Sequence, residues 1–101
     1  MSINQIQNTG NSLLQIATQN NDLKLLKRLS VFNIDVNTKN KEGLTALQIA
    51  VMKGKNHQII KYLLGIGADK NVTTVFGETV YDLASENELL NKENNNISYL
   101  K

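Results

Sequence analysis

The residues able to do chemistry are few, and their spacing does not suit it. His57 is the single histidine, and cysteine is absent. Disulfides, thiolate metal sites and a cysteine–histidine nucleophile are therefore excluded. Zinc would have to rest on His57 and carboxylates alone, and no carboxylate stands at ligand spacing from it. Glu86 and Glu88 are two residues apart, so on a helix they do not share a face and make no acid–base pair. Gly65-Ile66-Gly67 lacks the third glycine and the following helix of a phosphate cradle. Gly67 reads instead as a helix stop. No nucleophile–base pair, metal set or cofactor loop emerges, and the expectation is a chain with no catalytic, metal or cofactor-binding residue.

What remains is the chemistry of surfaces. Residues 22–61 carry Lys24, Lys27, Arg28, Lys39, Lys41, Lys53, Lys55 and Lys61 against Asp22, Asp35 and Glu42, while residues 74–101 carry Glu78, Asp82, Glu86, Glu88 and Glu93 against Lys92 and Lys101. A basic middle and an acidic end fit either solvated helix faces or an acidic partner. Lys39, Lys41, Lys53 and Lys55 could meet phosphate, but no aromatic residues are interleaved to stack on bases. The chain is 41% hydrophobic and 20% charged over 101 residues, which suits one globular domain. Its apolar runs are too short to span a bilayer. The opening Met1-Ser2-Ile3-Asn4-Gln5-Ile6 has neither basic region nor apolar core and does not read as a secretory signal. A cytoplasmic location is the expectation for this piece, with an exported parent left open.

These surface residues must be positioned by some scaffold, and the chain repeats itself. Residues 10–17, 43–50 and 77–84 share Gly, any, Ser/Thr, apolar, large apolar, polar, Ile/Leu, Ala, with the glycines at 10, 43 and 77. A fixed period near 33 residues marks stacked units that bury their apolar faces only against neighbours. Ser12 with Gln15, and Thr45 with Gln48, read as S/T-x-x-Q capping boxes, and Thr79 with Asp82 as a weaker version. Leu25, Leu26 and Leu29 give a second, amphipathic helix in the first unit, matched by Ile59, Ile60 and Leu63 in the next. Asn33 and Gly67 stand where the left-handed stop of each second helix belongs. The pattern predicts helices near 13–20, 22–31, 46–53, 57–65 and 80–90, with turns near 37–43 and 71–77 projecting as fingers. Residues 91–96 read as a loop and 97–101 as a short closing helix.

These residues resemble the ankyrin repeat. The middle unit matches best, through Gly43-Leu44-Thr45-Ala46-Leu47-Gln48-Ile49-Ala50 and Leu63-Leu64-Gly65-Ile66-Gly67-Ala68-Asp69-Lys70-Asn71. The resemblance implies an all-α solenoid of helix-turn-helix units with β-turn fingers. It makes residues 1–101 a single ankyrin-repeat domain with repeats at about 7–39, 40–73 and a degenerate capping repeat at 74–101. The family's proline is replaced by Leu13, Ala46 and Val80, and its histidine by Gln15, Gln48 and Asp82. Amide or carboxylate hydrogen bonds must then stand in for its Thr–His pairs. More loosely, the run from Phe76 is similar to the carboxy-terminal end of bacterial ankyrin arrays.

The resemblance implies a non-catalytic, scaffold-type module that binds a protein through its turn tips and inner helix face. Carried onto this chain, that surface is Lys39, Lys41, Glu42, Leu44, Met52, Lys53, Thr73, Val75, Phe76 and Glu78, extended by Thr9, Asn11, Gln19, Asn20, Glu86 and Asn87. Leu44, Met52 and Phe76 are apolar where a tip should meet water, which fits either packing between tips or a contact patch. Two other readings stand beside this one: a terminal segment that closes a longer array, and a binder of acidic surfaces or nucleic acid. The uncharged residues 1–21, with Ile3, Ile6, Leu13, Leu14 and Ile16, lead to the expectation of self-association or further upstream repeats at that end.

Overall fold

In the computed structural model, the described residues are 13–32, 34–53, 57–87 and 97–101. They form α1 (Leu13–Gln19), α2 (Leu23–Leu29), α3 (Ala46–Met52), α4 (His57–Gly65), α5 (Val80–Glu86) and a closing 3-10 helix, Ser98–Leu100. Sheet structure among them amounts to a single antiparallel bridge, Thr73 with Thr79. The expected all-helical repeat architecture is what the chain adopts.

Local chemistry sets the helix ends. Thr45 accepts from the Gln48 N–H, and Gln48 Oε1 accepts from the Thr45 N–H at 2.8 Å, a complete capping box on α3. The Thr79–Asp82 pair on α5 is equally complete, at 3.0 and 3.1 Å. Asn21, at φ +57, turns the chain between α1 and α2 in the left-handed region that Asn tolerates. The next residue, Asp22, caps α2 by accepting from the Leu25 N–H at 3.0 Å. At the end of α4 the Ala68 N–H reaches back to Leu63 O and the Gly67 N–H to Leu64 O, with Gly67 at φ +105. That is the Schellman arrangement expected of the stop. Ser12 and Asn33, assigned a cap and a stop from sequence, lie outside the described residues, as do Ile3 and Ile6.

α2 and α5 end more than one residue earlier than the pattern predicts. α2 closes at Leu29, where the Ser30 hydroxyl turns back onto Lys27 O. α5 stops at Glu86 because Asn87 takes an extended backbone. The Asn87 Nδ2 donates instead to Val51 O and Met52 O, at 3.3 and 3.0 Å, closing the carbonyl end of α3. Residues 88–90 lie outside the described residues.

Packing runs along the stack. α3 lies between α1 and α5 and also against α4, and every residue from Ala46 to Val51 is buried. Leu14 and Ala17 cover one side of it, and Val80, Leu83 and Ala84 the other. Ile16 of α1 and Tyr81 of α5 are half-buried. The second helices add Leu26, Leu29, Ile59, Ile60 and Leu63 to the same core. Neighbouring units are also tied by polar contacts. The Ser30 and Tyr62 hydroxyls share a hydrogen bond. Asn37 donates to Gly67 O at 3.2 Å and accepts from the Asp69 N–H at 2.8 Å. The closing 3-10 helix buries Ile97 and Leu100. It sets Tyr99 against His57 edge-on, at 5.7 Å between ring centroids, and under Lys61 Nζ at 5.1 Å. Burial pushes the Tyr99 phenol above its ordinary pKa.

Candidate protein-binding face

Two fingers project from this stack on one repeated backbone design. In the first, the Asn40 N–H donates to Leu44 O and the Gly43 N–H to Asn40 O, each at 2.9 Å. The Asn40 side chain then accepts from the Glu42 and Leu44 N–H groups, at 2.9 and 3.0 Å. In the second, the Thr74 N–H donates to Glu78 O and the Gly77 N–H to Thr74 O, again at 2.9 Å. Here the Thr74 hydroxyl oxygen accepts from the Phe76 and Glu78 N–H groups, at 3.1 and 3.3 Å. Gly43 and Gly77 carry φ of +79 and +82, a conformation that glycine adopts without the strain a side chain brings. Each tip is thus held by a polar side chain three residues before a left-handed glycine. Neither Asn40 nor Thr74 was assigned from sequence; an Asn or Thr at that offset was the available signal.

The tips differ in what they show to solvent. The first presents Lys41 and Glu42, both exposed. The second presents Val75 and Phe76, which keep 86% and 85% of their surface in water. Met52, at the end of α3, is 46% exposed. Beside the first finger lies a groove of about 240 Å³ lined by Gln19, Asn40, Glu42, Leu44, Ile49, Met52 and Lys53. A second hollow of about 190 Å³ lies between Met52, Leu83, Glu86 and Asn87. Met52 is common to both.

Of the residues assigned from sequence, Glu42, Leu44, Met52 and Lys53 come together in the groove. Gln19, Glu86 and Asn87, from the extended set, line it or the adjoining hollow. Leu44 is half-buried against the groove floor rather than free. Lys39 and Lys41 are exposed on the first finger outside the lining. Thr73 is exposed and pairs with Thr79 at the base of the second finger, and the Glu78 carboxylate accepts from the Thr74 hydroxyl at 3.2 Å. Val75 and Phe76 stand apart from the groove lining, at their own tip. Thr9 and Asn11 lie outside the described residues. Val31 and Phe32, 80% and 56% exposed just past α2, were not assigned; two adjoining apolar residues directly before Asn33 were their only signal. Among the described residues no group of three His, Asp or Glu side chains could hold a metal ion, and no helix is long and apolar enough to cross a membrane.

The family model for ankyrin repeats, in three copies, matches residues 2–100. The chain belongs to the ankyrin-repeat family. Ankyrin repeats are generally protein–protein interaction modules and typically carry no catalysis. Relatives are found in distant organisms. An ankyrin repeat protein of Acanthamoeba polyphaga mimivirus is 38% identical over 85 residues, 83% of this chain and 11% of that protein. The potassium channel AKT1 of Arabidopsis thaliana is 39% identical over 69% of this chain, and the mitochondrial disaggregase of Homo sapiens 37% identical over 74% of it. The matches span 8% and 10% of those two proteins, so these ankyrin repeats correspond to a small part of each relative. These three relatives are viral, plant and human; the looser likeness to bacterial arrays has no counterpart among them.

Proposed function

We propose that this chain is a non-catalytic module that binds a protein partner through its two finger tips and the groove beside Met52. The three repeats, at about 7–39, 40–73 and 74–101, act as one unit in this reading. The observation that carries it is the placement of exposed apolar side chains. Val75, Phe76 and Met52 sit on backbone fixed by hydrogen bonds, so the surface is preorganised and loses little freedom on binding. Lys53, Glu42 and Glu86 stand at the edges of the groove and its neighbouring hollow, where charge sets orientation and rejects wrong partners. Aromatic anchors surrounded by polar groups are the usual seat of binding energy at such interfaces.

Affinity purification from the native source tests the reading, run in parallel with wild type, Met52→Lys and Phe76→Glu. A specific protein retained by wild type and lost from both variants is the expected result. A partner held equally well by all three baits places binding on another face and rejects the assignment.

A further inference from the structure

The chain carries both halves of a complementary contact. We infer that the Val75–Phe76 tip of one copy docks into the Met52 groove of a second copy, and that two copies exchange tips reciprocally. The inference rests on the proposed binding face and names an occupant for it.

The tip is built to stay out in solvent. Thr74 holds the Phe76 and Glu78 N–H groups, and the Thr73–Thr79 bridge closes the finger's base. Val75 and Phe76 therefore cannot fold down onto their own repeat without breaking that set. The socket is apolar at its floor, through Leu44, Ile49 and Met52, and polar at its rim, through Gln19, Asn40, Glu42 and Lys53. At about 240 Å³ it has room for one aromatic ring.

Charge favours this pairing over tip against tip. The second finger leads into an acidic stretch, with Glu78 and Asp82 at its base. Lys53 and Glu42 line the groove, Lys39 and Lys41 are exposed on the finger beside it, and Glu86 lines the adjoining hollow, which leaves the groove side the more basic of the two surfaces. Opposite potentials steer the two surfaces together and set their register. Because every copy has one tip and one groove, a two-fold arrangement satisfies both and closes. The contact is small beside stable interfaces, which bury about 1,200–2,000 Å². The association is accordingly weak and concentration-dependent.

Sedimentation equilibrium of the full chain, from micromolar to millimolar concentration at low and high salt, tests this. Wild type is expected to pass from monomer to dimer, less readily at high salt. The tip replacement Val75→Lys with Phe76→Glu installs the Lys-Glu of the first finger, and Met52→Lys fills the groove with a charge. Each is expected to weaken the dimer by about tenfold or more, a large effect on this scale, with helix content and melting unchanged. Mixing the two variants restores one intact tip–groove contact, so the mixture should associate better than either alone. A wild type that stays monomeric overturns the inference. So does a dimer that both variants leave intact, or an open polymer in place of a closed pair. A wild type that remains monomeric yet binds a different protein through Phe76 and Met52 overturns this inference and leaves the proposed function standing.

Discussion

At the first joint of the stack, Gln15 reaches out of α1 into the next repeat. Its Nε2 donates to Thr38 O at 2.8 Å and to Leu44 O at 3.1 Å, tying the first finger down on both sides. At the second joint the equivalent residue is Gln48. It is fully buried, and its Oε1 serves the capping box, but its Nε2 has no partner among the described residues. The second finger thus has the same turn as the first without the tie. Its repeat is fastened at the other end, by Asn87 on the α3 carbonyls. The comparison separates two jobs. Turn chemistry within a finger reproduces its shape, while amides crossing between repeats decide how firmly each finger is held.

The largest expected effect comes from a residue that serves both joints. Leu47, in α3, is fully buried on the one helix that touches α1, α4 and α5. Leu47→Ala should cost about 2–5 kcal/mol in a denaturant melt. A loss below that range would mean the two joints are not coupled through α3.

Next come the amides. Gln15→Leu strips a donor from Thr38 O and Leu44 O and should cost about 1–3 kcal/mol. Gln48→Leu loses the bond to the Thr45 N–H but also removes a buried donor without a partner, so its cost should be smaller. Native-state hydrogen exchange sharpens the point: the Thr74 and Gly77 amides should exchange faster than those of Asn40 and Gly43. Equal costs and equal protection would erase the difference between the joints.

The glycines test what the fingers share. Gly43→Val and Gly77→Val each force a β-branched residue into the left-handed region, at φ of +79 and +82, with open space around the added Cβ. Strain alone operates, and each should cost about 1–2 kcal/mol. Thermal melts in which the two differ widely would show that the turns are not equivalent.

The smallest effect should come from the tip replacement Val75→Lys with Phe76→Glu. Both side chains face water, so stability should move by no more than about 0.5 kcal/mol. A larger loss in the same melts would mean that the tip packs on its own chain.

Much of this was readable in the chain. The glycines at 10, 43 and 77, the Thr45 and Thr79 caps and the Gly67 stop are local signals, and each helix they predict is present. The errors are long-range. The repeat pattern carries α5 on to residue 90. What ends it in the structure is Asn87 bonding to Val51 and Met52, a tie across more than thirty residues of chain. Ser12, the other half of the Gln15 capping box, lies outside the described residues; what no local pattern signals is that the Gln15 amide donates across to the next finger. The site was legible in part, since a finger position places a residue near the surface by itself. Whether Leu44 stands free or lines a groove depends on Ile49 and Met52, which only the fold brings beside it.

The direct test of the binding face is amide hydrogen exchange of the full chain, free and saturated with the partner recovered from its native source. Protection on binding should concentrate in residues 40–53 and 73–87, spanning both fingers and the ends of α3 and α5. Protection centred instead on α2 and α4, around Val31, Phe32 and Tyr62, would contradict the account.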